Sequence, residues 1–265
     1  MVHGKPDEPA ASCSAYHDAE IRQPIGGDTV LASNARISRR VLADQVHEIL
    51  TERILDRAYS PDEHLNIDKI ARELGVSSSP VREALSRLTA EGLVISSSFI
   101  GFAVAPMPDA AWFEELYDYR ELVETWAVRI IADRRPGPVI TRLREAIATL
   151  ELGSYGPSFR DYCSAHDADE AFHHLLIEAT GNRVVAKTYR ELNPHLQHAR
   201  LYLSHPQDSG LVAAEHRAIL DAIEKGDSDG AATAMLSHLK LSRARLLGGP
   251  GEDQSTSNLT GEFSI

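Results

Sequence analysis

The chain has 265 residues, a hydrophobic share of 43% and a formal net charge of −12. The length favours two domains of ordinary size with real cores. The acidic balance excludes wholesale coating of nucleic acid or an anionic membrane, but not a small DNA-reading module joined to an acidic partner domain. No run of about 18 apolar residues is present to cross a bilayer, and the N-terminus lacks the basic-then-apolar pattern of a secretory signal, so a cytoplasmic location is expected. Cys13 and Cys163 form no CxxC pair and are expected to supply neither a disulfide framework nor a thiolate zinc site.

Residues 1–35 are rich in Pro, Gly, Asp and Ala without periodicity and read as a disordered tail. Helical periodicity then predicts segments at 41–57, 67–74 and 78–91. The stretch "GLVISSSFIGFAVAPM", residues 92–107, holds two β-prone runs around 96–101 and reads as a small hairpin. Three short helices followed by a two-stranded wing make a winged helix-turn-helix, assigned to 36–107. Beyond "APMPD" the pattern is helical: 110–134, 139–152, 158–180, 183–204, 211–225 and 228–247, with Pro and Gly as starts and stops. Pro194 is expected to kink the fourth of these. Six helices without strands imply a second domain over 108–247, and the polar, Gly-rich residues 248–265 a second tail. The expected fold class is mainly α: an N-terminal winged helix-turn-helix plus a C-terminal all-α antiparallel helix bundle.

In "LGVSSSPVREALSRLTAEGLV" the apolar residues Val81, Ala84, Leu85 and Leu88 recur at i, i+3, i+4, i+7 and define a buried face. The opposite face carries Ser78, Ser79, Arg82 and Ser86. Pro80 fits the first helical turn, where its missing N–H costs nothing, and Gly75 suits the left-handed turn between two helices. Short polar and basic side chains near the start of a recognition helix reach base edges. Arg36, Arg39 and Arg40 precede the first helix and suit phosphate contacts. The alternative is an ordinary amphipathic helix with a solvated face.

"IARELGVSSSPVREALSRLTAEGLV" followed by "GFAVAPM" resembles the N-terminal domain of the GntR family of bacterial transcription regulators. The resemblance implies binding of double-stranded operator DNA through Arg39, Arg40, Ser77, Ser78, Ser79, Arg82 and Gly101 at the wing, by a homodimer. Ser78 stands where the family usually has Arg, and a hydroxyl cannot make a guanidinium's bidentate contact to guanine, which implies a different operator reading. The family's Gly-x-Leu-x-Pro-Gly turn is here "AYSPDE", which keeps Pro61.

In "DEAFHH", Asp169 and His173 lie four apart, on one face of a helix with ~6 Å between Cβ atoms, beside the stripe of Ala165, Ala168, Phe172, Leu175, Leu176 and Ala179. His166 falls next to them, and His174 and Glu170 point elsewhere. His216 sits amid the stripe Val212, Ile219, Leu220, Ile223, and His238 at the edge of Ala231, Met235, Leu239, Ser242, Leu246. Each is either a hydrogen-bonded core histidine or a metal ligand. A set of three imidazoles and one carboxylate suits a divalent cation, Zn first, with Ni or Mn as alternatives. These elements resemble the FCD-type effector domain of the FadR subfamily, with its D-x-x-F-H, EH pair and final His, and the resemblance implies Asp169, His173, His216 and His238 as metal ligands.

"LYDYRELVETWAVRIIA" resembles the opening helix of that domain, and implies that Arg120, with Glu124 one turn on, meets the carboxylate of a small organic acid; an Arg120–Glu124 intrahelical pair is the alternative. His195 and His198 in "NPHLQHAR" either line the same cavity or lie on the surface. A metal with open positions also describes an enzyme acting on a small carboxylate, but the chain has no HExxH, nucleophile elbow or phosphate-cradling loop, so a regulator and not an enzyme is expected.

Overall fold

The structure, a computed structural model, describes residues 34–98, 101–153, 158–201 and 208–248. Most of both expected tails, and the side chains of Arg36, Arg39 and Arg40, lie outside what is described. The first domain runs α1 (Asn34–Leu55), α2 (Ile67–Leu74), α3 (Ser78–Ala90), β1 (Val94–Ser97) and β2 (Gly101–Val104). Helix α1 starts seven residues before the predicted one, inside what was read as tail. Its added turns, "NARISRR", hold good helix formers but lack the apolar spacing that marks a helix in sequence.

Asn66 caps α2 by accepting from the Lys69 amide, and Gly75 ends it at φ 67°. Val81, Ala84, Leu85 and Leu88 bury one face of α3 against Val46, Leu50 and Ile54 of α1 and Leu93 and Val104 of the wing. The wing is antiparallel, with Val94 opposite Val104 and Ser97 opposite Gly101. A further bridge, His64 to Ala103, extends it. The turn "AYSPDE" therefore leads into backbone paired with β2, through Leu65 N–H to Phe102 O at 2.8 Å and Val104 N–H to Glu63 O at 2.9 Å. That pairing was not legible in a sequence lacking the usual turn.

The second domain comprises α4 (Ala110–Arg134), α5 (Gly137–Leu152), α6 (Phe159–Ala179), α7 (Arg183–Leu192), α8 (Pro194–Ala199), α9 (Ser209–Lys225) and α10 (Ser228–Leu247). The bundle closes on one core that includes Tyr117, Ile131, Leu143, Phe172, Ile219 and Met235. The single kinked helix predicted for 183–204 is two helices. Asn193 ends α7 in the left-handed conformation at φ 44° while its side chain caps α8 by accepting from the Leu196 amide, and Pro194 takes the first position of α8. Proline is at home in a first turn, so it starts a helix here and does not bend one.

Phe159, Tyr162 and Cys163 of α6 and Leu196 and Ala199 of α8 belong to the core of the first domain, so the start of α6 and all of α8 lie between the two domains. Cys163 is buried at the start of α6, and Cys13 lies outside the described residues.

A Cβ on Gly75 meets nothing within 4 Å, so Gly75→Ala carries only the backbone cost of the left-handed region, ~1–2 kcal/mol. Chemical denaturation should show that loss, and Gly75→Asn should recover much of it.

Candidate functional site

Helix α3 carries most of the residues expected to read DNA. Ser77 precedes it as N-cap with extended backbone, Ser77, Ser79, Arg82 and Ser86 are exposed, and Ser78 is half-buried. Gly101 opens β2 at φ 76° and is exposed. An exposed polar start is what a helix offered to a major groove requires.

The polar centre of the bundle is formed by α4, α6, α8, α9 and α10. Within α6, Asp169 and His173 stack one turn apart, with His173 Nε2 4.0 Å from Asp169 Oδ1. His216 of α9 brings its Nε2 to 3.3 Å from the same oxygen. The imidazole nitrogens of His173, His216 and His238 lie within 4.8 Å of one another, and so do ligand atoms of Asp169, His173 and His195. Around a bound zinc at ~2.0–2.2 Å, ligand atoms stand roughly 3–4 Å apart, a spacing comparable to that within each of these two groups.

The tautomers favour this. His173 Nδ1–H donates to Glu124 Oε2 at 2.6 Å and His238 Nδ1–H to Glu215 Oε2 at 2.7 Å. A carboxylate accepts only, so in each neutral ring Nε2 carries the bare lone pair, the arrangement by which a second carboxylate aims a ligating histidine. Glu215 is held by Arg245 at 2.7 and 2.9 Å. His216 is fully buried, stacked on Phe172 at 4.1 Å, and among the described residues neither of its nitrogens has a hydrogen-bond partner, nor has His173 Nε2. A buried polar atom without a partner costs ~1–3 kcal/mol, and two of these atoms, His216 Nε2 and His173 Nε2, face the same oxygen of Asp169.

Burial holds His216 well below the usual imidazole range, with His238 adding to the effect, and burial likewise depresses His238. Burial opposes ionisation of Asp169, but the hydrogen bond from His195 and the adjacent imidazoles outweigh it and keep the carboxyl well below its usual value. Neutral imidazoles around an ionised carboxylate are the protonation states that a metal needs.

Arg120 and Glu124 form the i,i+4 pair weighed in the sequence, with Nε–H to Oε1 at 2.6 Å and both side chains 1% exposed. Glu124 also accepts from Tyr189 Oη–H at 2.7 Å. It therefore stands behind the imidazoles and does not face the cavity. Arg120 has a second side: among the described residues Nη2 is buried without a partner, as is His198 Nε2, and Nη1 lies 3.5 Å from His198 Nδ1.

Arg120, Tyr162, His166, Asp169, His195 and His198, with Val212, His238 and Ser242, line a cavity of about 10 Å³, room for about one water molecule. His166, which the sequence placed only nearby, is buried with Nε2 3.1 Å from the carbonyl of His195. Burial disfavours its cation, yet Asp167 and Glu170 raise it to about 9. His174, read as a surface residue, is half-buried beside Glu170 and edge-on to Tyr189. Glu215, Tyr189 and His166 were missed as parts of the centre. Glu215 was legible as the acid of the "EH" pair, whereas nothing in the spacing of Tyr189 marks it.

A winged helix-turn-helix joined to a helical domain with a buried histidine-rich centre is the architecture of a two-domain DNA-binding protein. The profile of bacterial regulatory proteins of the gntR family matches residues 42–104 and that of the FCD domain residues 115–241. Among curated relatives, an uncharacterized HTH-type transcriptional regulator in an unstable DNA locus of Streptomyces ambofaciens is 32% identical over 209 residues, covering 78% of this chain and 84% of that one. A putative L-lactate dehydrogenase operon regulatory protein of Escherichia coli (strain K12) is 29% identical over 230 residues, with coverage of 78% and 84%. The solved structure of E. coli McbR/YncC has the same fold, with a TM-score of 0.60, 18% identity, and coverage of 78% of this chain and 97% of that one. The chain belongs to the GntR family of bacterial DNA-binding transcription regulators, with an FCD domain, and is not an enzyme. No helix among the described residues is long and apolar enough to cross a membrane.

Removing one partner of a buried ion pair leaves the other charge uncompensated. Glu124→Gln should therefore destabilise the protein by ~3–5 kcal/mol and Tyr189→Phe by only ~1–3 kcal/mol. Chemical denaturation in the presence of a chelator measures both.

Proposed function

We propose that this regulator senses a small organic acid at a divalent metal held by Asp169, His173, His216 and His238. The observation that carries the reading is His216, buried with two unpartnered nitrogens, one of them 3.3 Å from Asp169 Oδ1. Zinc fits three imidazoles and a carboxylate, with nickel or manganese as alternatives. The metal, when bound, supplies open positions for an acid's oxygens. The chain's own contribution is Arg120, whose free Nη2 suits a carboxylate, with His198 beside it, and His195 at the wall.

Similarity to a regulator named for an L-lactate dehydrogenase operon supports the acid as the class of ligand. Because the cavity holds about one water, the acid must move its wall to enter. A homodimer in the cytoplasm would then set two α3 helices into successive major grooves, with Ser77, Ser78, Ser79, Arg82, Gly101 and the residues Arg39 and Arg40 ahead of them on the DNA.

Two measurements test this. Zinc titration of chelator-treated protein should reach one ion per chain, and free zinc at 100 times Kd should stabilise the fold by ~2.7 kcal/mol. His216→Ala should abolish that stabilisation; an unchanged zinc response in the variant contradicts the ligand set. Binding to DNA from the gene's own upstream region should fall with salt, and Arg82→Ala should weaken it by ~1–3 kcal/mol. Loss of that size that is equal on unrelated DNA would assign Arg82 to phosphate.

A further inference from the structure

Helix α8 is six residues long, and all of them are buried. Helices shorter than ~12–15 residues are marginal alone, so the position of α8 is set by what grips its two faces. One face belongs to the polar centre. His195 Nδ1–H donates to Asp169 Oδ2 at 3.0 Å, His195 Nε2 lies 3.2 Å from Tyr189 Oη, and His198 stacks on Tyr117 at 5.2 Å.

The other face belongs to the DNA-binding domain. Leu196 and Ala199 sit in its core. Arg200, which closes the helix, donates from Nη2 to the carbonyls of Ala105 and Pro106 at 2.7 and 2.8 Å, where the wing leaves for α4. Arg57, just past α1, donates back to the Arg200 carbonyl at 3.0 Å. A Cβ on Gly92, ahead of β1, would stand 3.4 Å from Gln197 Nε2.

We infer that His195 is a positioning residue of the metal centre and that, through it, α8 makes the packing of the winged helix-turn-helix depend on the metal. The two oxygens of Asp169 divide the work: Oδ1 faces His216 and His173, Oδ2 faces His195. A cation held by Asp169 would fix a carboxylate whose side chain is 21% exposed. A fixed carboxylate fixes the imidazole bonded to it, as outer partners of metal ligands do. The remaining walls, Tyr162, His166 and Asp169 of α6 with Arg120, Val212, His238 and Ser242, are on helices of 17 residues or more, so α8 is also the wall that yields when the cavity fills. Its movement pulls on residues 105 and 106, and a ligand with different affinity for the two positions shifts the DNA-binding domain.

This inference rests on the metal reading above, and hydrogen exchange read by mass spectrometry, with native mass spectra of the same samples, separates the two. In the full chain, zinc should slow exchange in α8 and in residues 53–59 and 93–107 by about 5- to 100-fold relative to chelator, the span of ordinary coupling energies, while α2 stays unchanged. Arg200→Ala, and Arg57→Ala should the first variant fold poorly, should keep one zinc per chain and slow α8 alone. His195→Ala should weaken zinc by about 10- to 100-fold and, at saturating zinc, lose the response of 53–59 and 93–107. His195→Asn, whose amide can donate in place of Nδ1–H, should restore part of it. Zinc binding with no change in 53–59 and 93–107, or a change that survives in Arg200→Ala and His195→Ala alike, overturns the role of α8 and leaves the metal centre standing. Absence of zinc from the native spectra overturns the metal reading, and this inference with it.

Discussion

Glu124 is a carboxylate with 1% exposure, and three groups from three helices converge on it: Arg120 one turn along α4, His173 of α6 and Tyr189 of α7. Burial opposes its charge, but the guanidinium and the imidazole outweigh that and keep it ionised well below the usual carboxylate range. Because it is ionised it accepts only, which turns the Nδ1–H of His173 toward it and the Nε2 lone pair toward Asp169. The same charge holds Arg120 by its Nε–H and leaves Nη2 without a partner among the described residues. A buried charge network of this kind is a poor source of stability, and its presence in the bundle is better understood as orientation: it aims one imidazole and one guanidinium at a common space.

Around that space the bundle has two layers of different character. His173, His216 and Asp169 project from long helices locked into a single core with Phe172, Ile219 and Met235, and Glu215, clamped by Arg245, repeats for His238 what Glu124 does for His173. His195 and His198 project from α8, which is short, starts at a left-handed break and is held by polar contacts on both sides. The rigid layer suits a cation, which demands fixed distances, and the yielding layer suits a ligand that must enter a space of about 10 Å³. The DNA-binding domain packs on α8 of the yielding layer and on the start of α6.

Much of this was legible in the sequence because the strongest patterns coincide with the most buried faces. Val81, Ala84, Leu85 and Leu88 predicted the inner face of α3, and Ala165, Ala168, Phe172, Leu175 and Leu176 that of α6, since one apolar stripe packs on one core. The bounds of α2, α4 and α10 fall where they were expected, and the structure adds the caps that fix their starts, Asn66, Asp109 and Asp227. Helix α8 was misread because it has no solvent face: burial on every side removes the alternation of polar and apolar residues on which periodicity depends, and Pro194 then resembles a kink. The partners Tyr189 and His166 escaped for a related reason, since spacing along one helix says nothing about which side chain from another helix reaches the same oxygen.

The proposed metal centre requires three imidazole nitrogens and one carboxylate oxygen to meet on a cation. X-ray absorption at the zinc edge of protein loaded with one equivalent of zinc tests it most directly. It predicts a first shell of nitrogen and oxygen alone at ~2.0–2.1 Å, with the outer-shell scattering of imidazole rings, both lost in His216→Ala. A sulfur shell at ~2.3 Å, or a spectrum that His216→Ala leaves unchanged, would contradict it.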